Sequence, residues 1–122
     1  MGGLMGNGWF GVDLDGTLAE YHSKPQEEWR PDDIGKPIPA MVERVKAWLA
    51  EGRDVRIVTA RVGPGNDPAV TTPPIKLWCL QHLGRVLPVI AAKDSNMIEL
   101  WDDRAVQVET NTGRILGRAG VH

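Results

Sequence analysis

The chain has 122 residues, enough for one compact domain, with 42% hydrophobic and 25% charged residues, the balance of an ordinary globular protein. A net charge of −2 leaves no broad basic surface for holding nucleic acid by counterion release, and the single cysteine, Cys79, excludes an internal disulfide framework and a cysteine-rich zinc site. No stretch reaches the length of a membrane-spanning helix. Residues 1–7 are Gly-rich and lack the basic start and apolar core of a signal peptide, so a flexible lead-in and a cytoplasmic location are the expectations.

The first predicted element is a strand over residues 8–14, buried and central because Trp9, Phe10, Val12 and Leu14 are apolar. It delivers Asp13 and Asp15 into a turn made by Gly16 and Thr17. Two carboxylates one residue apart point the same way if the strand continues. If the strand breaks there, one side chain and one backbone carbonyl converge on a cation instead. Either arrangement concentrates negative charge that a metal or a proton must compensate. Residues 18–37 read as a long irregular flap carrying Tyr21 and Trp29, and long loops inside compact domains are usually functional. Trp29 is either a lid over a pocket or a plug folded onto the core.

Pro37 and Pro39 open a helix whose apolar face is Ile38, Met41, Val42, Val45, Trp48 and Leu49, stopped by Gly52. Val55, Ile57 and Val58 form a second strand ending at Thr59-Ala60-Arg61. Residues 62–74 read as a loop, with Thr72 as N-cap and Pro73 as first residue of a second helix that buries Ile75, Trp78, Cys79 and Leu83. Val86–Ile90 is a third strand weakened by Pro88, Met97–Trp101 a fourth, and Val106 with Val108 a short fifth before the turn at Asn111-Thr-Gly113. Residues 114–122 form an expected loose tail. Strands alternating with helices argue for an α/β fold with a mainly parallel sheet, whose chemistry collects at the carboxyl ends of the strands. Between Ile90 and Met97 there is no room for the helical crossover that parallel neighbours need. Either Val86–Ile90 is not an ordinary parallel strand or the chain crosses in a compact way.

Four apolar runs end in side chains suited to phosphate chemistry: Asp13 and Asp15, then Thr59, then Lys93, then Asp102 and Asp103. Each has a plainer reading as a turn, cap or solvated residue, but the ordered set is hard to assign to chance. Asp13-Leu-Asp-Gly-Thr17, Ile57-Val-Thr59, Lys93 and Trp101-Asp-Asp103 resemble the four ordered motifs of the haloacid dehalogenase (HAD) superfamily. The stretch Glu99 to Val106 is similar to small HAD-like hydrolases of bacterial and phage origin. Receiver domains also combine acidic residues, a Thr and a Lys, but with the acidic pair first rather than last.

The resemblance implies a three-layer Rossmann-like HAD fold in one domain spanning 1–122, without a separate cap because the flap is too short to be one. It implies Mg2+ held by Asp13, by the backbone carbonyl of Asp15 and by Asp103, with Asp102 as an outer partner or in exchanged roles. It implies Asp13 as nucleophile forming an aspartyl phosphate, Asp15 as acid and base, and Lys93 as the charge-balancing cation. Thr59, Ala60, Gly16 and Thr17 would surround the phosphoryl group, with Arg61, Arg104 and Trp29 nearby. Each arginine has an alternative as an ion-pair partner of a neighbouring acid. The implied substrate is a phosphorylated small molecule or nucleotide. The acidic balance disfavours a nucleic-acid end, and oligomerisation is left open. Alternatives are an inactive phospho-binding module or a phosphotransferase with an acceptor other than water.

Overall fold

The computed structural model describes residues 8–117. The expected lead-in, 1–7, and the end of the tail, 118–122, lie outside them. Four parallel strands, β1 (Trp9–Asp13), β2 (Asp54–Val58), β3 (Val89–Ile90) and β4 (Met97–Trp101), form one sheet in the order β3-β2-β1-β4. Two helices, α1 (Pro39–Ala50) and α2 (Pro68–Leu83), complete the fold. The α/β class and the parallel sheet therefore agree with the sequence.

Alternation along the strands fixes what each sheet face meets. Val12 of β1 and Leu14 just beyond it, with Val55 and Ile57 of β2, pack in one cluster with Met41, Val42, Val45 and Leu49 of α1 and Ile75, Trp78, Cys79 and Leu83 of α2. Both helices thus lie on one face, and the expected three layers are two. The reason is the link from β3 to β4. These strands sit at opposite edges, so residues 91–96 must pass the two strands between them, about 14 Å at ~4.8 Å per strand spacing, and carry no helix. The compact crossing is the alternative that holds.

A tryptophan takes the place of the missing layer. The Trp9 ring is buried and lies over Gly11, where a Cβ would come within 3.1 Å of it. Arg56 stacks on that ring at 4.8 Å, and Trp9 Nε1 donates to Asp94 Oδ1 at 2.9 Å, pinning the crossing segment to the sheet. Leu100 and Ile98 on the far side of the sheet stay partly exposed. Parallel sheets ordinarily have both faces covered, and here one aromatic and a strap of chain provide the second cover.

Three element boundaries differ from expectation. The second helix starts at Pro68, not Pro73, because Asp67 accepts from the Ala69 N–H at 3.0 Å and is the N-cap in place of Thr72. Pro73 and Pro74 lie inside it and deprive the exposed residues Ala69 and Val70 of helical donors to their carbonyls, which water can replace. The third strand shrinks to two residues, with Pro88 just before it contributing only its carbonyl, which accepts from Ile57 N at 2.8 Å. No fifth strand forms among the described residues. Val108 instead bridges Ile115 antiparallel across the turn at Asn111–Gly113, so the first residues of the supposed loose tail are paired.

Candidate active site

The site forms where β1 and β4 end side by side. Asp13 closes β1, and Asp102 and Asp103 follow β4 directly, so parallel pairing brings carboxylates about ninety residues apart in sequence to one place. One oxygen from each of Asp13, Asp102 and Asp103 lies within 4.8 Å of the others. The turn after β1 is shaped for this. Gly16 has φ +92°, and a Cβ there would fall 2.6 Å from Asp103 Oδ2. The buried Thr17 hydroxyl accepts from the Asp103 N–H at 2.9 Å and lies 3.0 Å from Asp103 Oδ1, to which it donates. Gly16 and Thr17, expected at the phosphate, therefore serve to seat Asp103.

Charge repulsion in this group is met by a proton. Burial, a hydrogen bond to Asp103, and the charges of Asp102 and Asp103 push Asp13 up from 3.8 to about 7. For Asp103, burial works against ionisation. Hydrogen bonds from Thr17 and Asp13, its own backbone N–H and the Arg104 charge outweigh that and hold it below the usual carboxylate range. A proton bound to this pair is therefore held on the Asp13 side, and is lost as pH rises through about 7. Three converging carboxylates with only oxygen donors suit a hard divalent cation such as Mg2+ or Ca2+, which would take the place of that proton.

Asp15 lives in the opposite surroundings. Arg61 Nε donates to its Oδ2 and Nη2 to its Oδ1, both at 2.8 Å. The guanidinium is nearly buried, with a side-chain exposure of 9%. It also donates to the backbone carbonyls of Asp33 at 2.8 Å and Pro31 at 3.3 Å, and stacks on Trp29 at 5.4 Å. Arg61 itself is placed by a 3₁₀ turn, Ala60–Val62, capped by the buried Thr59 hydroxyl, which accepts from the Arg61 N–H at 3.1 Å. The ion-pair alternative for Arg61 is the one found, and Trp29 belongs to the flap rather than to the core.

A cavity of about 380 Å³ opens over these groups, lined by Asp13, Asp15, Thr59, Ala60, Asp102 and Arg104, with Tyr21, Val58, Arg61 and Ala91 completing the wall. Most of the expected site residues are thus brought together. Lys93 is not: among the described residues it has no hydrogen-bond or ion-pair partner, and it does not line the cavity, although Ala91 two residues earlier does. The strap that pins Asp94 to Trp9 carries Lys93 along the exposed surface. Arg104 stands at the cavity wall as a second cation beside Arg61, and its backbone N–H donates to Asp102 Oδ1 at 2.8 Å.

Sequence reading missed the flap contacts of Arg61 and the Thr17–Asp103 pair. A Thr-Ala-Arg run after a strand marks a polar strand end but carries no sign of which carboxylate the arginine reaches 46 residues away. Tyr21 was noted only as a flap aromatic, and its place at the cavity wall follows from the closing of the flap base. There Glu20 N donates to Lys36 O and Ile38 N to Leu18 O, each at 2.8 Å. No protein-family profile, curated protein or solved structure matches the chain.

Proposed function

We propose that the chain is a Mg2+-dependent phosphomonoester hydrolase of HAD type, working through an aspartyl phosphate on Asp13. The observation that carries this reading is the meeting of Asp13, Asp102 and Asp103, the first two of which line one cavity with Asp15. Asp13, Asp102 and Asp103 are the side chains that would hold the ion. When bound, magnesium neutralises phosphate and nucleophile and orients the phosphoryl oxygens.

The chain's own residues divide the chemistry. A carboxylate oxygen of Asp13 attacks phosphorus as the bond to the leaving oxygen breaks, and Asp15 gives that oxygen its proton. Asp15 then takes a proton from water, whose oxygen attacks the phosphorus of the aspartyl phosphate. Inorganic phosphate leaves and Asp13 is restored. Both Asp15 oxygens accept from Arg61, so carrying the proton in the first half-reaction requires one of these two bonds to give way. Thr59 and Arg104 line the space for the phosphoryl oxygens, Arg104 taking the charge-balancing part first given to Lys93. The flap stands in for a cap, and the proposed substrate is a phosphorylated small molecule or nucleotide, a nucleic-acid end being disfavoured by the net charge of −2.

One observation favours a second reading, a phospho-binding module without turnover: no lysine lines the cavity. A panel of phosphate monoesters assayed with Mg2+ and with EDTA separates the two. Metal-dependent release of inorganic phosphate is expected, and binding of phosphate without release from any ester would give the site to the second reading.

A further inference from the structure

Trp29, Pro31 and Asp33 of the flap are all reached by one side chain, that of Arg61. Residues 21–34 leave the core between the paired ends Glu20 and Lys36 and bury none of the residues of their 3₁₀ turn, Gln26–Glu28. A loop with so little apolar burial has little to hold it in one place. At its returning end Ile34 packs against the core and Trp78 Nε1 donates to Gly35 O at 3.0 Å; the rest of the loop is tied by the Lys24–Asp33 ion pair, internal to the loop and exposed, and by Arg61. Arg61 reaches the loop through Pro31 O, Asp33 O and the Trp29 ring, and reaches the site through both oxygens of Asp15. A guanidinium is planar and rigid, so its fork sets the orientation of the carboxylate and the position of the two carbonyls together.

We propose that Arg61 is a positioning residue that clasps the 20–35 loop onto Asp15, making the loop the lid of the site and aiming the Asp15 carboxylate by the same contact. The part of this that concerns Asp15 rests on the phosphatase reading; the clasp itself does not. Four donated hydrogen bonds leave the Arg61 guanidinium engaged with protein groups. Arg61 therefore acts on the reaction through Asp15 and the lid. Lysine at this position keeps the charge but has no fork, so it cannot hold a carboxylate in two places and two carbonyls as well.

The test compares wild type, Arg61→Lys and Arg61→Ala by hydrogen exchange of the loop amides, with the amides of α1 as the internal control for folding. The clasp predicts exchange faster by about tenfold or more over residues 20–35 in both variants, little change in α1, and partial return toward wild-type exchange when guanidinium is added to Arg61→Ala. Unchanged loop exchange, or acceleration that spreads through α1, would overturn it. Turnover adds the second arm. Arg61→Lys is expected to lose about tenfold or more in kcat with a much smaller change in KM. Equal kcat in wild type and Arg61→Lys would overturn the aiming of Asp15. Absence of turnover in wild type would instead overturn the phosphatase reading, and the exchange comparison would still decide the clasp.

Discussion

Asp13 and Asp15 stand two residues apart and face opposite electrostatic surroundings. The Asp13 side of the site is a crowd of like charges, with Asp102 and Asp103 close by, Thr17 holding Asp103 in place, and, among the described residues, no cationic side chain hydrogen-bonded to it. The Asp15 side is an ion pair, with both oxygens taken by Arg61 and the lid tied to the same guanidinium. The first arrangement leaves a demand for positive charge that a proton meets in part, and a divalent cation meets fully. The second is satisfied by the protein alone. Two aspartates two positions apart thereby acquire different surroundings, one left with a demand for positive charge and the other held in an ion pair.

The acidic half breaks most readily at its turn. Gly16→Ala puts a Cβ at a left-handed φ and against the Asp103 carboxylate, so a stability loss of roughly 2–3 kcal/mol is expected, read by denaturant unfolding. A variant as stable as wild type would show that Asp103 is not seated by this turn.

A pH profile sharpens the contrast from the side of the charges. Asp13 binds its proton more tightly folded, at about 7, than its ordinary value of 3.8. Between those values the folded state holds more protons than the unfolded one, so Asp13's contribution to metal-free stability is full below about pH 4 and is lost as pH rises to about 7. Thermal melts in EDTA should show wild type losing stability relative to Asp13→Asn across this window, and Mg2+ should remove the trend. Parallel pH profiles for the two proteins would contradict the crowding of charge. The smallest effect is expected at Lys93, which lies outside both halves. Lys93→Ala should leave phosphate release within about twofold of wild type, whereas a loss of tenfold or more would return the lysine to the reaction.

The legible parts of the fold were those written in local pattern. The apolar spacing of Met41, Val42, Val45 and Leu49 and the run Val55–Val58 carry their own period, and α1 and β2 lie where that period puts them. Asp13, Asp15, Thr59 and Asp102-Asp103 were legible as strand ends, since a parallel sheet collects such ends on one side. Lys93 followed from order alone, and order does not say where a six-residue strap runs once Asp94 is tied to Trp9. The second helix was misplaced because Asp67-Pro68 and Thr72-Pro73 are both sound N-cap pairs, and local chemistry does not rank them. The missing layer was visible as a link too short for a helix, but the tryptophan that covers the sheet is a tertiary solution with no local signature.

In the proposed reaction an Asp13 carboxylate oxygen accepts the phosphoryl group, and one measurement tests this directly. The protein is quenched in acid during turnover of a phosphate monoester with Mg2+, digested, and mapped by mass spectrometry for a phosphoryl adduct. The account predicts an adduct on the peptide containing Asp13 in wild type, and neither adduct nor phosphate release in Asp13→Asn. Phosphate release that persists in Asp13→Asn, or turnover in wild type with the adduct on another residue, would contradict it.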